Sequence, residues 1–225
     1  MPTRATPAIL YKYYPPERLD FFETLSVRFT IPDDFSDRFD SVGGADNSST
    51  DLARRFRFRQ KLGIFCLTED PDNQLMWVHY AARHTGFVVG FDARAALFSD
   101  GGGILENVRY EPPPPGITKT SRESCFYKEK GWSYENEWRC VRIMKARESH
   151  DVGLLGPEIR EVILGAEMTS PNITLVLEYA ALEIPDCNFA VSKSEIDLGA
   201  RCMRHVVYPY RVCTTCHGAG RTRHS

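Results

Sequence analysis

The fold is decided by the stretch Leu62-Gly63-Ile64-Phe65-Cys66-Leu67, a mostly apolar run with the length of a buried strand. The turn-forming stretch Glu69–Asn73 follows it, and a helix is predicted from Gln74 to about Arg83. Gly86 ends this helix, and Phe87–Phe91 predicts a second buried strand. The centre of the chain is therefore expected to alternate strands with short helices and turns.

Similar patterns extend toward both ends of the chain. The remaining predicted elements are strands at Ile9–Tyr14, Val27–Ile31, Asn107–Tyr110 and Trp138–Met144, helices at Glu17–Leu25 and Ser121–Lys130, a helical turn starting at Pro157 and running to Val162, and core segments at Ile163–Leu164 and Thr174–Tyr179. This order favours an α+β fold, with a mixed, mostly antiparallel sheet and flanking helices, over a doubly wound fold. We predict one domain over residues 1–200 and a basic, Cys- and His-containing tail over residues 201–225.

Composition and charge predict a cytoplasmic protein. Of the 225 residues, 42% are hydrophobic and 26% are charged, and the formal net charge of −2 creates no general attraction to nucleic acid or membrane. No apolar run approaches the roughly 18–20 residues of a membrane helix, and Met1–Ile9 lacks the apolar run of a secretory signal. Seven scattered cysteines fit reduced thiols better than a disulfide framework.

Five segments in order give the chain a family likeness. They are Leu10–Tyr13, Phe65–Glu69, Met76–Gly86, Trp132–Arg139 and Glu161–Gly165. Together they resemble a widespread bacterial family labelled a domain of unknown function, whose relatives include abortive-infection (phage-defence) proteins. The likeness extends from about residue 9 to residue 183, so it implies a bacterial protein with a role in defence.

Glu135 and Glu137 lie two residues apart, immediately before the predicted strand that starts at Trp138. At a period of two, both side chains would point the same way, and their repulsion can raise one pKa and leave a proton donor beside an acceptor. The alternative is a structural one, in which both carboxylates pair with Arg139, Arg142 and Lys145 on a solvated sheet face.

The pair is also similar to the Glu-x-Glu element of ADP-ribosyltransferases. That resemblance implies an ADP-ribosyltransferase-like fold with NAD as substrate. Glu137 would contact the nicotinamide ribose and stabilise the oxocarbenium-like transition state, while Glu135 would orient the acceptor. It further implies that Lys12 stands where the family carries Arg or His, and that Thr68 and Tyr80 help to form the nucleotide pocket.

His84 is a further candidate for cofactor binding. Tyr80 and His84 are four residues apart in the predicted helix, so both side chains can face one pocket. His79 and His84 have a spacing of five, which does not let a helical pair share a metal. The structural alternative makes Tyr80 a core residue and His84 a charge at the helix C-terminus.

Two cation-rich or thiol-rich segments suggest partners. Cys202, His205, Cys213 and Cys216 have a spacing that could supply four ligands to zinc, although a flexible tail is the competing interpretation. The segment Arg54–Lys61 carries five cations interleaved with Phe56 and Phe58, so it is a candidate nucleic-acid surface. Its structural alternative is an amphipathic segment with both Phe side chains inward.

Three functions follow from these patterns. The leading hypothesis is a NAD-consuming, ADP-ribosyltransferase-like enzyme in a toxin or phage-defence role, in which Glu137→Gln abolishes turnover and leaves thermal stability nearly unchanged. The alternatives are a non-enzymatic binding or sensor module of a defence system and a nucleic-acid-binding protein.

Overall fold

The computed structural model describes residues 4–35, 49–118, 121–145, 149–154, 158–182, 190–200 and 202–207. The strands in this part of the chain are β1 (Ile9–Tyr14), β2 (Ser26–Arg28), β3 (Leu62–Thr68), β4 (Phe87–Asp92), β5 (Ile104–Asn107), β6 (Glu137–Ile143), β7 (Asp151–Gly153), β8 (Ile159–Leu164), β9 (Ala190–Asp197) and β10 (Cys202–Val207). The α-helices are α1 (Asp20–Thr24), α2 (Ser49–Arg59), α3 (Gln74–Tyr80), α4 (Ala96–Ser99) and α5 (Ser170–Leu182).

Contacts group the chain into two compact units, each assembled from three segments. The first unit takes the described parts of Met1–Ala8, Val27–Glu69 and Ala93–Val152. The second unit takes the described parts of Ile9–Ser26, Asp70–Asp92 and Gly153–Ser225. Both units are therefore built from segments that are distant in sequence.

The first unit is organised around β6, which pairs antiparallel with β3 on one side and with β5 on the other. Every residue of β6 except Ile143 is buried, because the strand has a neighbour on each edge and side chains cover both faces. Its core contains Leu62, Ile64, Cys125, Phe126 and Val141. The register places Thr68 opposite Glu137, where the strand β6 begins.

The second unit contains the strands in the order β10-β9-β8-β4-β1. The pairs β1–β4, β4–β8 and β9–β10 are antiparallel, whereas β8 and β9 are parallel. A parallel pair requires a crossover connection, and α5 lies in the segment between these two strands. Aromatic rings fill the core next to β4: Tyr14 stacks on Phe21 at 5.3 Å and on Phe87 at 5.2 Å between ring centroids.

The predicted fold class is confirmed: the protein is a mixed α+β fold with a large, mostly antiparallel sheet and several helices. The predicted strands at Ile9–Tyr14, Leu62–Leu67, Phe87–Phe91 and Trp138–Met144 correspond to β1, β3, β4 and β6. These four segments share dense β-branched or aromatic residues, which favour strands.

Several predicted elements differ from the structure. The helical turn expected from Pro157 to Val162 is wrong, since Ile159–Leu164 is the strand β8. The strand predicted at Asn107–Tyr110 is shifted to Ile104–Asn107. The segment Thr174–Tyr179, predicted as part of the core without an assigned element, lies inside the helix α5. Helix α3 ends at Tyr80, before the predicted boundary, because the next turn takes positive φ angles.

Part of the predicted tail is a strand. Cys202–Val207 forms β10 and pairs with β9, while residues 208–225 and 36–48 lie outside the described residues. The division into one domain and a tail stays a prediction. Among the described residues, no helix combines the length and the apolar character needed to span a bilayer.

Candidate functional site

Backbone hydrogen bonds fix the start of β6, where Glu135 and Glu137 flank Asn136. Asn136 has a φ of 43°, in the left-handed region that Asn tolerates better than most residues, and this turns the chain into the strand. The Thr68 hydroxyl donates to the carbonyl oxygen of Glu135 at 2.6 Å. The N–H of Val108 donates to the carbonyl oxygen of Glu137 at 2.8 Å. Three residues predicted for the site, Thr68, Glu135 and Glu137, are therefore brought together.

Four buried charged side chains meet at this point, and we call Lys128, Glu135, Glu137 and Arg139 the charge quartet. Lys128 Nζ lies 2.5 Å from Glu135 Oε2 and 3.0 Å from Glu137 Oε2. Arg139 forms a fork on Glu137, with Nε at 2.8 Å from Oε1 and Nη2 at 3.0 Å from Oε2. None of the four side chains is more than 7% exposed. Two cations thus balance two carboxylates in a region from which water is largely excluded.

The electrostatics of Glu137 follow from its partners. Burial raises the pKa of Glu137, but the charges of Arg139 and Lys128 and the hydrogen bonds from Arg139 and Cys66 outweigh burial and lower this pKa to about 2. The expectation that repulsion raises one pKa is therefore wrong for Glu137. A carboxylate that stays ionised cannot donate a proton at neutral pH, but it can accept hydrogen bonds and stabilise positive charge.

The structural alternative for the two carboxylates is also only partly right. Glu137 does pair with Arg139, as that alternative proposed, but the pair is buried and does not lie on a solvated sheet face. Arg142 makes other contacts: its guanidinium lies 4.4 Å from the centre of the Phe29 ring and donates to the carbonyl oxygen of Leu97.

A pocket of about 740 Å³ adjoins the charge quartet, and we call it the Tyr110 pocket. Its lining includes Tyr110, Pro112, Pro113, Tyr127, Lys128 and Gly131. Two of these residues connect the pocket to the carboxylates. Lys128 binds both of them, and the Tyr110 hydroxyl accepts the backbone N–H of Glu137 at 2.7 Å. Burial raises the pKa of Tyr110, so its hydroxyl remains protonated.

Sequence reasoning missed Lys128 and Tyr110. Lys128 precedes Glu135 by seven residues, in a segment that was predicted to be one continuous helix but forms two short 3-10 helices, Arg122–Phe126 and Lys130–Glu135. The signal available in the sequence was a lysine seven residues before Glu135. Its position inside the network depends on the turn between the two short helices, which the sequence pattern did not indicate.

Lys12, Tyr80 and His84 lie in the second unit. Lys12 is half-buried in β1, opposite Val89 of β4. Tyr80 is 37% exposed at the end of α3. The expectation that Tyr80 and His84 share one helical face is wrong, because the helix ends at Tyr80.

His84 is buried and its ring is parallel to that of Trp77, with 5.3 Å between the ring centroids. Burial lowers the pKa of His84, against the opposing effect of Glu167, so the side chain is not the charged C-terminal residue of the structural alternative. Ala82, Arg83 and His84 all have positive φ angles, of 46°, 56° and 68°.

The predicted zinc ligands are only partly within the described residues. Cys202 and His205 are three positions apart in β10, so their side chains leave opposite faces of the strand. His205 Nε2 lies 2.7 Å from Asp72 Oδ1. Cys213 and Cys216 lie outside the described residues, and within those residues no group of three or more His, Cys, Asp or Glu side chains is placed to hold a metal. Zinc binding by the tail stays a prediction.

Most of the basic segment, residues 54–59, forms the C-terminal part of α2, and Gln60 and Lys61 follow the helix. Phe58 packs against the core of the first unit, whereas Phe56 is 62% exposed, so the expectation that both Phe side chains point inward is wrong for Phe56. Arg54 and Arg57 are exposed as well. Arg59 is held by Asp33, with Nε 2.5 Å from Oδ1.

Comparison with known proteins identifies one related segment. Residues 76–140 match a family model described as "Protein of unknown function (DUF2971)". This part of the chain is similar to a family of unknown function. The matched segment contains most of α3, all of β4 and the complete charge quartet, and it supports the predicted likeness to a domain of unknown function. No curated protein and no solved structure matches the chain.

Proposed function

We propose that the protein binds a nucleotide in the Tyr110 pocket, and that NAD is the ligand to test first. The observation that carries this proposal is the juxtaposition of a pocket of about 740 Å³ with the charge quartet. Small-molecule sites have volumes of roughly 300–1,000 Å³ and combine apolar walls with a few placed polar groups. Tyr110, Tyr127 and two prolines provide such walls, and Lys128 provides a cation in the lining.

An enzymatic version of this proposal uses Glu137 as the catalytic carboxylate. It is supported by the contacts of Thr68 with Glu135 and by the low pKa of Glu137. A carboxylate that is ionised at neutral pH suits the stabilisation of an oxocarbenium-like transition state at the nicotinamide ribose, and Glu135 would orient the acceptor. Consumption of NAD would fit a toxin or phage-defence role. Nucleotide binding by Lys12, Tyr80 and His84 of the second unit stays a separate prediction.

A non-enzymatic sensor is the second candidate, and a specific observation favours it. Both carboxylate oxygens of Glu137 already accept hydrogen bonds from Arg139, and one of them also contacts Lys128. A carboxylate with these partners must exchange one of them before it can contact a substrate hydroxyl. Nucleotide binding without turnover needs no such exchange.

Pocket-filling variants test nucleotide binding without disturbing the charge quartet. Gly131 lines the pocket, and a Cβ at this position meets no atom within 4 Å, so Gly131→Leu should fold and occupy the ligand volume. Gly153→Leu is the matched control, because a Cβ at Gly153 of β7 also meets no atom within 4 Å. We expect NAD to raise the thermal midpoint of the wild type and of Gly153→Leu, but not that of Gly131→Leu.

Release of nicotinamide then separates the two candidates. In the enzymatic version, the wild type and Gly153→Leu release nicotinamide from NAD and Gly131→Leu does not. In the sensor version, NAD raises the midpoint and no nicotinamide is released. A midpoint that NAD leaves unchanged in the wild type contradicts both.

Nucleic acid is a separate partner that we propose for α2. The exposed ring of Phe56 and the exposed Arg54 and Arg57 support this proposal, since bases stack on aromatic rings and phosphates pair with cations. Fluorescence anisotropy with a labelled single-stranded RNA should show binding that weakens with salt and is reduced by Phe56→Ala. Equal binding by the wild type and Phe56→Ala would contradict the assignment.

A further inference from the structure

We infer that Tyr127 is the stacking platform of the Tyr110 pocket and that it selects the adenine ring of a dinucleotide over the cationic nicotinamide ring. This inference rests on the proposed nucleotide binding and names the part of the ligand that the pocket holds. It is carried by the contact between Arg109 and Tyr127.

The Tyr127 ring is held in place from the backbone outward. Arg109 and Tyr127 are joined by a β-bridge, in which the Arg109 N–H donates to the carbonyl oxygen of Phe126 at 2.7 Å and the Lys128 N–H donates to the carbonyl oxygen of Arg109 at 3.1 Å. These two hydrogen bonds fix the chain on both sides of Tyr127. The ring is therefore positioned before a ligand arrives, which reduces the entropy lost on binding.

A cation covers one face of this ring. The Arg109 guanidinium carbon lies 5.3 Å from the centre of the Tyr127 ring, and Arg109 Nη2 is anchored by Glu106 Oε2 at 2.9 Å. A cation at this distance is attracted to the π electrons of the ring. Tyr127 also lines the pocket, so its opposite face and its edge are the parts that a ligand can contact.

The position of Arg109 determines which ligand ring is preferred. The guanidinium draws the π electrons of Tyr127 toward itself, which makes the other face of the ring less negative. A less negative face stacks well with a neutral, electron-rich heterocycle such as adenine, and it attracts a cationic pyridinium ring less strongly.

The charged residues of the lining do not reverse this preference. Lys128 and Lys130 are matched in number by Glu111 and Glu129, so the lining provides no excess negative charge to attract a cation. The adenine end of NAD is therefore the end that we assign to Tyr127, which leaves the nicotinamide end for the other parts of the pocket lining.

Adenosine monophosphate and nicotinamide mononucleotide provide a matched pair of probes, because each has one ribose, one phosphate and one base. Calorimetric titration of the full chain should show that adenosine monophosphate binds at least tenfold more tightly. Tyr127→Leu should weaken its binding by on the order of tenfold, the usual effect of losing one base–aromatic stack, whereas Tyr127→Phe should retain it. Tyr179→Leu is the control for a ring outside this pocket, since Tyr179 lies in α5 and its hydroxyl donates to Glu23, and it should bind like the wild type.

Arg109→Gln tests the electronic argument itself. Loss of the guanidinium should bring the affinities for adenosine monophosphate and nicotinamide mononucleotide closer together. Tyr127→Phe should leave the ratio of these two affinities unchanged. Unfolding midpoints of all variants are measured without ligand, and a variant counts only if it keeps the wild-type circular dichroism spectrum. If Tyr127→Leu fails this requirement, Tyr127→His supplies the test, because a smaller aromatic ring should bind adenosine monophosphate with intermediate affinity.

The outcomes separate this inference from the proposed function. If NAD binds but nicotinamide mononucleotide competes with it better than adenosine monophosphate, the adenine assignment is overturned and nucleotide binding stands. If the affinity for adenosine monophosphate is lost in Tyr179→Leu and kept in Tyr127→Leu, the assignment is also overturned. If NAD and both mononucleotides fail to bind, the proposed nucleotide binding is itself overturned.

Discussion

Glu137→Gln should destabilise the protein strongly, because it removes one anion from a buried and balanced set of four charges. The substitution keeps the size of the side chain, but it leaves Arg139 and Lys128 facing Glu135 as the one remaining carboxylate of the quartet. Removing one partner of a buried ion pair typically costs about 3–5 kcal/mol. A pKa lowered from 4.5 to about 2 corresponds to about 3 kcal/mol of stabilisation above pH 4.5, which agrees with that range.

Urea unfolding followed by circular dichroism at pH 7 measures this loss directly. Glu129→Gln is the matched control, since Glu129 is exposed and its substitution should change the free energy of unfolding by less than about 0.5 kcal/mol. A loss of less than about 1 kcal/mol in Glu137→Gln would refute the claim that the quartet stabilises the fold.

The pH dependence gives an independent check on the same carboxylate. Because its pKa is lower in the folded state, Glu137 stabilises the protein above pH 4.5, and this contribution is lost as the pH falls toward 2. The wild type should therefore lose more stability over this interval than Glu137→Gln does. Equal losses in the two proteins would place the acid sensitivity in other groups.

Two further predictions concern the second unit. The hydrogen bond to Asp72 raises the pKa of His205. The pair should therefore stabilise the fold below about pH 6.5, and this stabilisation should be lost as the pH rises through the raised pKa. His205→Asn should remove that part of the pH dependence of the thermal midpoint. Gly165→Ala should cost at least about 1–3 kcal/mol in urea unfolding, because its Cβ would lie 2.0 Å from the carbonyl oxygen of His84, whereas Gly153→Ala meets no atom within 4 Å and should be nearly neutral. If His205→Asn does not alter the pH profile, the contact between His205 and Asp72 is contradicted. If Gly165→Ala is as stable as the wild type, the close approach of Gly165 to His84 is contradicted.

The strands were predictable where composition and length agreed. β3 and β4 are apolar runs of strand length between turn residues, and the structure buries both almost completely. The segment near Pro157 was misjudged because Pro at the first position of a helix is common, and that local signal was given more weight than the β-branched residues of Ile159–Leu164. The segment forms a strand because it pairs with a neighbour on each side in the sheet: β8 lies between β4 and β9.

The candidate site was predictable only in its acidic part. Glu135 and Glu137 were visible as a spaced pair, but whether their charges repel or are balanced depends on Lys128 and Arg139. Arg139 follows Glu137 by two residues in the same strand, so a sequence pattern can suggest their pairing. The contact of Thr68 with Glu135 requires the register of β3 against β6, which no local pattern specifies. The sequence pattern also did not reveal that Glu137 is buried. For this reason we now expect Glu137→Gln to destabilise the protein, whereas the sequence alone led us to expect almost no change in stability.

The early end of α3 shows a further limit of periodicity. A helix was expected to continue to Arg83 because the spacing of Tyr80 and His84 is helical. Three successive residues with positive φ angles end it instead, and they place His84 against Trp77. Non-glycine residues rarely adopt this conformation, so the pattern of residue types gave no sign of it.

A structure of the protein determined with NAD tests the central claim most directly. We expect one NAD molecule in the Tyr110 pocket, with its adenine ring against Tyr127 and within reach of Lys128, and no change in the contacts between Arg139 and Glu137. NAD bound elsewhere on the chain, or a pocket that stays empty at saturating NAD, would contradict the account.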